Sequence, residues 1–256
     1  MEVSAIIPTY NRKEMLEKNL KVLINFKEIK EVIIVDDGST DNTFEILKKF
    51  SDKLKIKYTK NKVTIGSAYS WNKGISLASK DYILLLNDDT RIIEDNFFEI
   101  LAEDKEKADI IGPALKNTKY EKINFLYKIR KVLLHILIGD PLKAFSAKPK
   151  YVDFVSGVMF SSKKIMAEIG FDEGYEGNCF REESDFQKRA KNRGYKIFYD
   201  PRISVLHDQT NEGGQRRFSK EEDKRWRKVN HHRFLDKNYK ILRIFWKPLF
   251  WIFTKF

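Results

Sequence analysis

Residues 82–90 read YILLLNDDT. Tyr82 to Leu86 is the most apolar strand-like run of the chain, and it breaks at once into Asn87, Asp88 and Asp89. An unalternating apolar run of this length, bounded by turn residues, reads as a strand buried on both faces, the condition of a strand between two layers of helices. Outward from it the same unit recurs. Val3–Pro8 and Glu31–Asp36 (EVIIVD) have strand character, and Lys55–Thr59 and Ala108–Gly112 extend the series. Helical spacing fills the gaps over Lys13–Phe26, Asn42–Phe50, Ser67–Ala78 and Asp95–Glu103. This alternation predicts an α/β fold with a mostly parallel sheet and helices on both faces. Ligands of such sheets bind beyond the carboxyl ends of the strands. Polar clusters stand at those ends: Thr9-Tyr10-Asn11, Asp36-Asp37-Gly38-Ser39 and Asn87-Asp88-Asp89.

After Gly112 the alternation stops, which divides the chain into a sheet half over 1–112, a second half over 113–215 and a tail over 216–256. In the second half Ile123–Ile138 has the spacing of an amphipathic helix, Val152–Phe160 reads as a strand and Lys163–Ile169 as a helix. The acidic cluster Glu182–Asp185 opens another helix, and two short strands lead to His207. Gly213-Gly214 then suggests a mobile loop that closes over a ligand, with Arg216 and Arg217 behind it. The tail ends in IFWKPLFWIFTKF.

Hydrophobic residues make up 42% of the 256 and charged residues 34%, a globular composition and not a disordered one. The single cysteine, Cys179, excludes an intramolecular disulfide and is expected to be a loop or packing residue. The net charge of +12 is concentrated: residues 216–256 hold 13 Lys and Arg against four Asp and Glu. That points to a polyanionic partner at this end, either nucleic acid or an anionic membrane surface. The opening MEVSAIIPTYNRKE lacks a basic, then apolar leader, and no apolar run reaches the roughly 20 residues that span a bilayer. A cytoplasmic protein lying on the inner face of a membrane is expected, with the aromatic, basic tail as interfacial anchor. The other reading of the tail is a segment docked on protein.

Each polar cluster carries two readings. Asp88-Asp89 is either a turn or helix cap ahead of Thr90, or a carboxylate pair holding Mg²⁺ or Mn²⁺ on a diphosphate. Asp36-Asp37 is either a tight turn feeding a helix, with Ser39 or Asp41 as cap, or an acceptor for a base N–H or ribose hydroxyl. Glu182, Glu183 and Asp185 either satisfy a helix N-terminus or include a general base. His207 is a structural hydrogen-bonder or a ligand. His231-His232 has no acidic or cysteine partner at metal spacing and reads as a surface feature.

The ordered set says more than its members. IIPTYNR, VDDGSTDNT, IGSAYSWNKGI, LLLNDDT, FVSGVMFSSKKIMAEIGFDEGYEG and REESDFQKRAKNRGYKIFYDPRISVLH follow one another over about residues 3–207. This series resembles the large inverting family 2 of glycosyltransferases, which have the GT-A fold. The resemblance implies a GT-A type, Rossmann-like sheet with a smaller acceptor-side region and a C-terminal helical tail. It implies inverting, metal-dependent transfer from a nucleotide-diphosphate sugar, UDP-linked by family habit, to a saccharide or lipid-linked saccharide in surface polysaccharide or glycan synthesis. Pro8, Thr9, Tyr10, Asn11, Asp36, Asp37, Gly66, Asn72 and Asp88 would bind the donor. Asp89 would hold the metal, with Asp88 and His207 beside it. Glu183 would be the base, flanked by Glu182 and Asp185. Two departures stand out: Asn87 replaces the first Asp of the usual Asp-x-Asp, and Trp71 stands where an Arg commonly precedes Asn72. The competing readings are a nucleotidyltransferase, disfavoured by the lack of a glycine-rich loop after the first strand, and a non-catalytic nucleic-acid or membrane-binding module. No nucleic acid is expected on the enzyme reading.

Overall fold

The computed structural model describes residues 1–117, 129, 132–134, 136, 146–208, 218–239 and 241–253. Among the described residues its centre is a sheet of nine strands: β1 (Val3–Thr9), β2 (Ile29–Asp36), β3 (Ile56–Lys60), β4 (Tyr82–Leu85), β5 (Thr90–Ile92), β6 (Ile110–Asn117), β7 (Lys150–Tyr151), β8 (Met159–Ser162) and β9 (Ile197–His207). Their order is β3-β2-β1-β4-β8-β6-β9-β5, with β7 also on β9. From β3 to β4 every pairing is parallel; β8 then runs antiparallel between β4 and β6, and β9 lies parallel to β6. The expected mostly parallel sheet is therefore present. From β1 the chain builds outward to β2 and β3 on one side and places β4 on the other. The crevice at such a reversal opens between the carboxyl ends of β1 and β4.

Helices cover both faces because neighbouring strand residues point opposite ways. Val3, Ala5 and Ile7 of β1 pack under α1 (Lys13–Leu23), α2 (Thr43–Leu47) and α4 (Phe97–Asp104), through Leu16, Leu20, Leu47, Phe97 and Leu101. Ile6, Ile33 and Val35 pack under α3 (Ser67–Leu77), α5 (Lys163–Ile169) and α6 (Glu182–Asn192), through Trp71, Ile75, Met166, Phe186 and Ala190. A third cluster of Phe154, Tyr175, Phe234 and Leu235 seats α7 (Lys220–Asn238), and Trp246 of α8 (Arg243–Phe253) packs against it.

Several expectations change. Thr90 opens a strand and not a helix, so the Asp-Asp-Thr triplet is no N-cap. The helix that follows Asp41 has Asn42 at its N-cap position, in the left-handed region and without a side-chain capping bond, with neither Ser39 nor Asp41 in that place. Residues 152–158 are irregular, not a strand: Val155 N–H donates to Gln187 Oε1 (2.6 Å) and its carbonyl accepts from Gln187 Nε2 (3.3 Å), so a side chain takes the place of a ladder partner. The two strands expected before His207 are one, β9. His231 is no surface feature; it is wholly buried on the inner face of α7. The helix expected over 123–138 lies mostly outside the described residues, and the loop with Gly213, Gly214, Arg216 and Arg217 lies wholly outside them.

Candidate active site

The crevice between β1 and β4 opens into a cavity of about 630 Å³. Pro8, Thr9, Tyr10, Asp37, Gly66, Asp88, Asp89, Glu182, Glu183 and His207 all line it. Of the residues singled out in the sequence, Asn11, Asp36, Asn72 and Asp185 do not.

Those four build the walls. Asp36, fully buried, accepts from the backbone N–H of Gly38 (3.1 Å) and Ser39 (2.7 Å) and from Tyr58 OH (2.7 Å), which folds the 36–39 turn. Asn11 Oδ1 accepts from Thr40 N–H (2.7 Å) and so ties the β1 loop to that turn. Asn72 spends its amide on the loop after α5, donating to Phe171 O (2.9 Å) and accepting from Phe171 N–H (2.7 Å). Asp185 is fully buried and accepts from Arg189 Nε (2.7 Å), Lys237 Nζ (3.1 Å) and Asn238 Nδ2 (2.9 Å). It is a fastener between α6 and α7.

Asp37, one residue past β2, accepts from Asn61 Nδ2 (2.9 Å) and from the N–H groups of Ile65 (2.9 Å) and Gly66 (3.0 Å). Gly66 adopts φ +128°, and a Cβ there would stand 2.9 Å from Cys179 Sγ, so glycine alone fits between the two loops. Burial pushes the Cys179 thiol up to about 11, which keeps it an uncharged packing group.

Asp88 and Asp89 sit in the turn from β4 to β5, only 5% and 6% exposed. The Asn87 carbonyl closes this turn by accepting from Thr90 N–H (3.1 Å), Thr90 Oγ1 (2.8 Å) and Asn19 Nδ2 (3.1 Å). Asp88 Oδ2 accepts from Thr9 Oγ1 at 2.9 Å. The ladder between β5 and β9 sets Thr90 opposite His207, and this register brings His207 Nε2 to 3.3 Å from Asp89 Oδ2. Arg12, which the sequence reading passed over, reaches across from the start of α1: its Nη1 donates to Asp88 Oδ1 at 3.0 Å and to Asp89 Oδ2 at 2.8 Å. Burial raises the Asp88 carboxyl, Arg12 draws it back and the Asp89 charge raises it again, leaving it at about 6.

The pair and His207 offer hard carboxylate oxygens and one imidazole nitrogen, a donor set that suits Mg²⁺ or Mn²⁺. Among the described residues no three acidic, histidine or cysteine side chains converge to hold an ion by themselves. An ion here would take its remaining oxygens from a bound diphosphate.

Across the cavity, Glu182 and Glu183 open α6. Glu182 Oε1 accepts from Ser67 Oγ at 2.8 Å, which ties it to the start of α3. The Glu183 carboxylate lies against the bare Cα of Gly157, where a Cβ would collide with it. Trp71 is 2% exposed and stacks on Phe171 at 6.0 Å, so it is a wall residue that also faces the cavity. The far rim comes from the tail. Phe218, Lys220, Asp223 and Arg227 line the cavity, and α7 is therefore part of the site, not an appendage. A Ser219–Glu222 capping box starts that helix, a signal present in the sequence. Asn178 Nδ2 donates to Asp223 Oδ1 (2.8 Å) and Asn230 Nδ2 to the Glu176 carbonyl (2.8 Å), which seats it on the 172–180 loop.

This fold is shared with solved glycosyltransferases of the GT-A class. Residues 1–349 of TarS from S. aureus, in complex with UDP-GlcNAc, superpose with a TM-score of 0.68 at 18% identity, covering 93% of this chain and 68% of that one. The mannosyltransferase PcManGT from Pyrobaculum calidifontis, in complex with GDP-Man and Mn²⁺, gives 0.67 at 14% identity, covering 93% and 64%. Residues 4–170 match glycosyl transferase family 2, and the chain belongs to that family. Among curated relatives it is 29% identical to the poly-beta-1,6-N-acetyl-D-glucosamine synthases of Staphylococcus epidermidis, over 203 residues, and of Staphylococcus aureus, over 205. The matches cover 78% of this chain and 48% of those proteins, so the chain spans about half their length. Membership makes it a glycosyltransferase and sets aside the nucleotidyltransferase and non-catalytic readings.

Proposed function

We propose that the chain transfers a sugar from a UDP-linked donor, with inversion, to a hydroxyl of a saccharide or lipid-linked saccharide during surface polysaccharide or glycan synthesis. One observation carries the reading: carboxylates from three separate segments, Asp37, Asp88 with Asp89, and Glu182 with Glu183, meet His207 around one cavity. The UDP-GlcNAc held by TarS, the Mn²⁺ held by PcManGT and the N-acetylglucosamine polymer made by the curated relatives support it.

In this reading Pro8, Thr9, Tyr10, Asp37 and Gly66 receive the nucleoside. Asp89, with Asp88 and His207, would hold Mn²⁺ or Mg²⁺, which when bound would offset the charge of the diphosphate leaving group. Glu183 accepts the proton of the acceptor hydroxyl as that oxygen bonds to the anomeric carbon. The bond to the diphosphate breaks on the opposite side and its electron pair leaves with the phosphate oxygen. A single displacement inverts the centre. Glu183→Gln is expected to lower transfer by about 10²- to 10⁴-fold while UDP affinity is kept. Wild-type turnover by the folded variant would give the base to another group.

The tail supports a peripheral seat on an anionic membrane, at the inner, cytoplasmic face. Ile241, Ile244 and Phe245 are 75%, 67% and 64% exposed beside Arg243 and Lys247. Among the described residues no helix is long and apolar enough to cross a membrane. A chain ending at Tyr239 is expected to lose co-sedimentation with anionic vesicles; unchanged sedimentation would remove the anchor.

A further inference from the structure

Two carboxylates buried side by side repel each other, and the fold supplies its own cation to hold them. One nitrogen, Arg12 Nη1, bonds to both Asp88 and Asp89, from a side chain only 11% exposed. The root of that side chain is fixed. The Arg12 carbonyl accepts from Met15 N–H and Leu16 N–H, both at 3.0 Å, as α1 begins. Asn11 before it is held at φ +50° by its bond to the 36–40 turn. Any movement of the guanidinium must therefore come from rotation within the side chain.

We propose, building on the sugar-nucleotide reading, that Arg12 is the resident counter-cation of this pair and couples entry of a divalent ion to entry of a nucleoside diphosphate. The charge balance gives the reason. Two carboxylates, one guanidinium and a divalent ion leave a net positive charge in a nearly buried turn, which disfavours the ion alone. A diphosphate reverses that sign, and its oxygens match the fork of a displaced guanidinium, which bonds phosphate in bidentate fashion. Ion and nucleotide then bind as a pair, each raising the affinity of the other by the same factor. In this scheme Arg12 first holds the two carboxylates and then contacts the diphosphate itself.

The test reads Mn²⁺ binding, not turnover. Free Mn²⁺ is followed by electron paramagnetic resonance as it is titrated into the full chain, with and without UDP. Wild type should bind Mn²⁺ weakly alone and at least about tenfold more tightly with UDP. Arg12→Met should bind Mn²⁺ alone at least about tenfold more tightly than wild type and gain less from UDP than wild type does. Arg12→Lys, which keeps the charge and loses the fork, should stay weak with Mn²⁺ alone. Equal Mn²⁺ affinity of wild type and Arg12→Met would overturn the proposal and leave Arg12 a plain structural ion pair. Should Arg12→Met fail to fold, wild-type Mn²⁺ affinity that is indifferent to UDP would overturn it equally. If UDP does not bind wild type under any condition, the sugar-nucleotide reading fails instead, while the Mn²⁺-only comparison still decides the part played by Arg12.

Discussion

The most exacting residue near the proposed base is one with no side chain. Gly157 lets the Glu183 carboxylate rest on its Cα, and a methyl group there must push the carboxylate aside. Gly157→Ala is expected to lower kcat by about tenfold to a hundredfold, the scale at which a displacement of about an ångström acts on a reacting group, with the donor KM little changed. Steady-state kinetics beside thermal unfolding checks this; a fall in kcat matched by general unfolding would point to packing instead. Asp37, Asp88, Asp89, Glu183 and His207 were legible in the sequence because each sits at a strand or helix end in an ordered series. Arg12 and Ser67 were not, since their partners lie 76 and 115 positions away and no local pattern marks such a pairing.

At the scale of elements, a buried acid joins β1, β2, β3 and the end of α3. Glu31, 1% exposed, accepts from Ser4 Oγ (2.6 Å), Ser79 N–H (2.6 Å) and Ser79 Oγ (2.9 Å) and pairs with Lys57 Nζ (2.8 Å). Burial alone would raise its pKa, but the bonds from Lys57, Ser4 and Ser79 outweigh it and hold the carboxyl at about 2. The folded value lies below the unfolded one of 4.5, so the stabilisation is complete above pH 4.5 and is lost as pH falls from there towards 2. Glu31→Gln should cost on the order of 2–3 kcal/mol at pH 7, and its deficit against wild type should shrink at pH 3. Urea unfolding at both values measures this; a deficit independent of pH would show that the charge is not its source. Apolar period marks most of the elements, and two segments depart from it for physical reasons. Residues 152–158 carry strand-like sequence, yet the Gln187 side chain bonds the Val155 N–H and carbonyl where a ladder partner would stand. β5 is three residues long, too short to show a period, and exists through pairing with β9.

For the whole molecule, the decisive fact is that α7 closes the site. Asp172 accepts from Arg233 Nε (3.0 Å), Arg233 Nη2 (2.8 Å) and Lys237 Nζ (2.5 Å), and these bonds outweigh burial and hold its carboxyl well below the usual range. Asp172→Asn should loosen α7 by about 1–3 kcal/mol, the worth of charge-assisted hydrogen bonds, and raise the donor KM. Faster amide exchange confined to residues 220–238 would report the loosening, whereas unchanged exchange there would detach α7 from this clamp. The order of residues is enough to define the α/β class, the parallel first half, the strand ends that carry acids and the helix start with Glu182 and Glu183. Those are local properties, written in apolar period and turn chemistry within a few residues of one another. Tertiary structure decided which of the polar groups face the cavity and which only shape its walls, and it set His207 beside Asp89 through strand register. It also placed Arg12 between the two aspartates and turned half of a basic tail into the rim of the site. Each of these joins residues far apart in the chain, and such meetings are fixed by how the sheet closes and the helices pack.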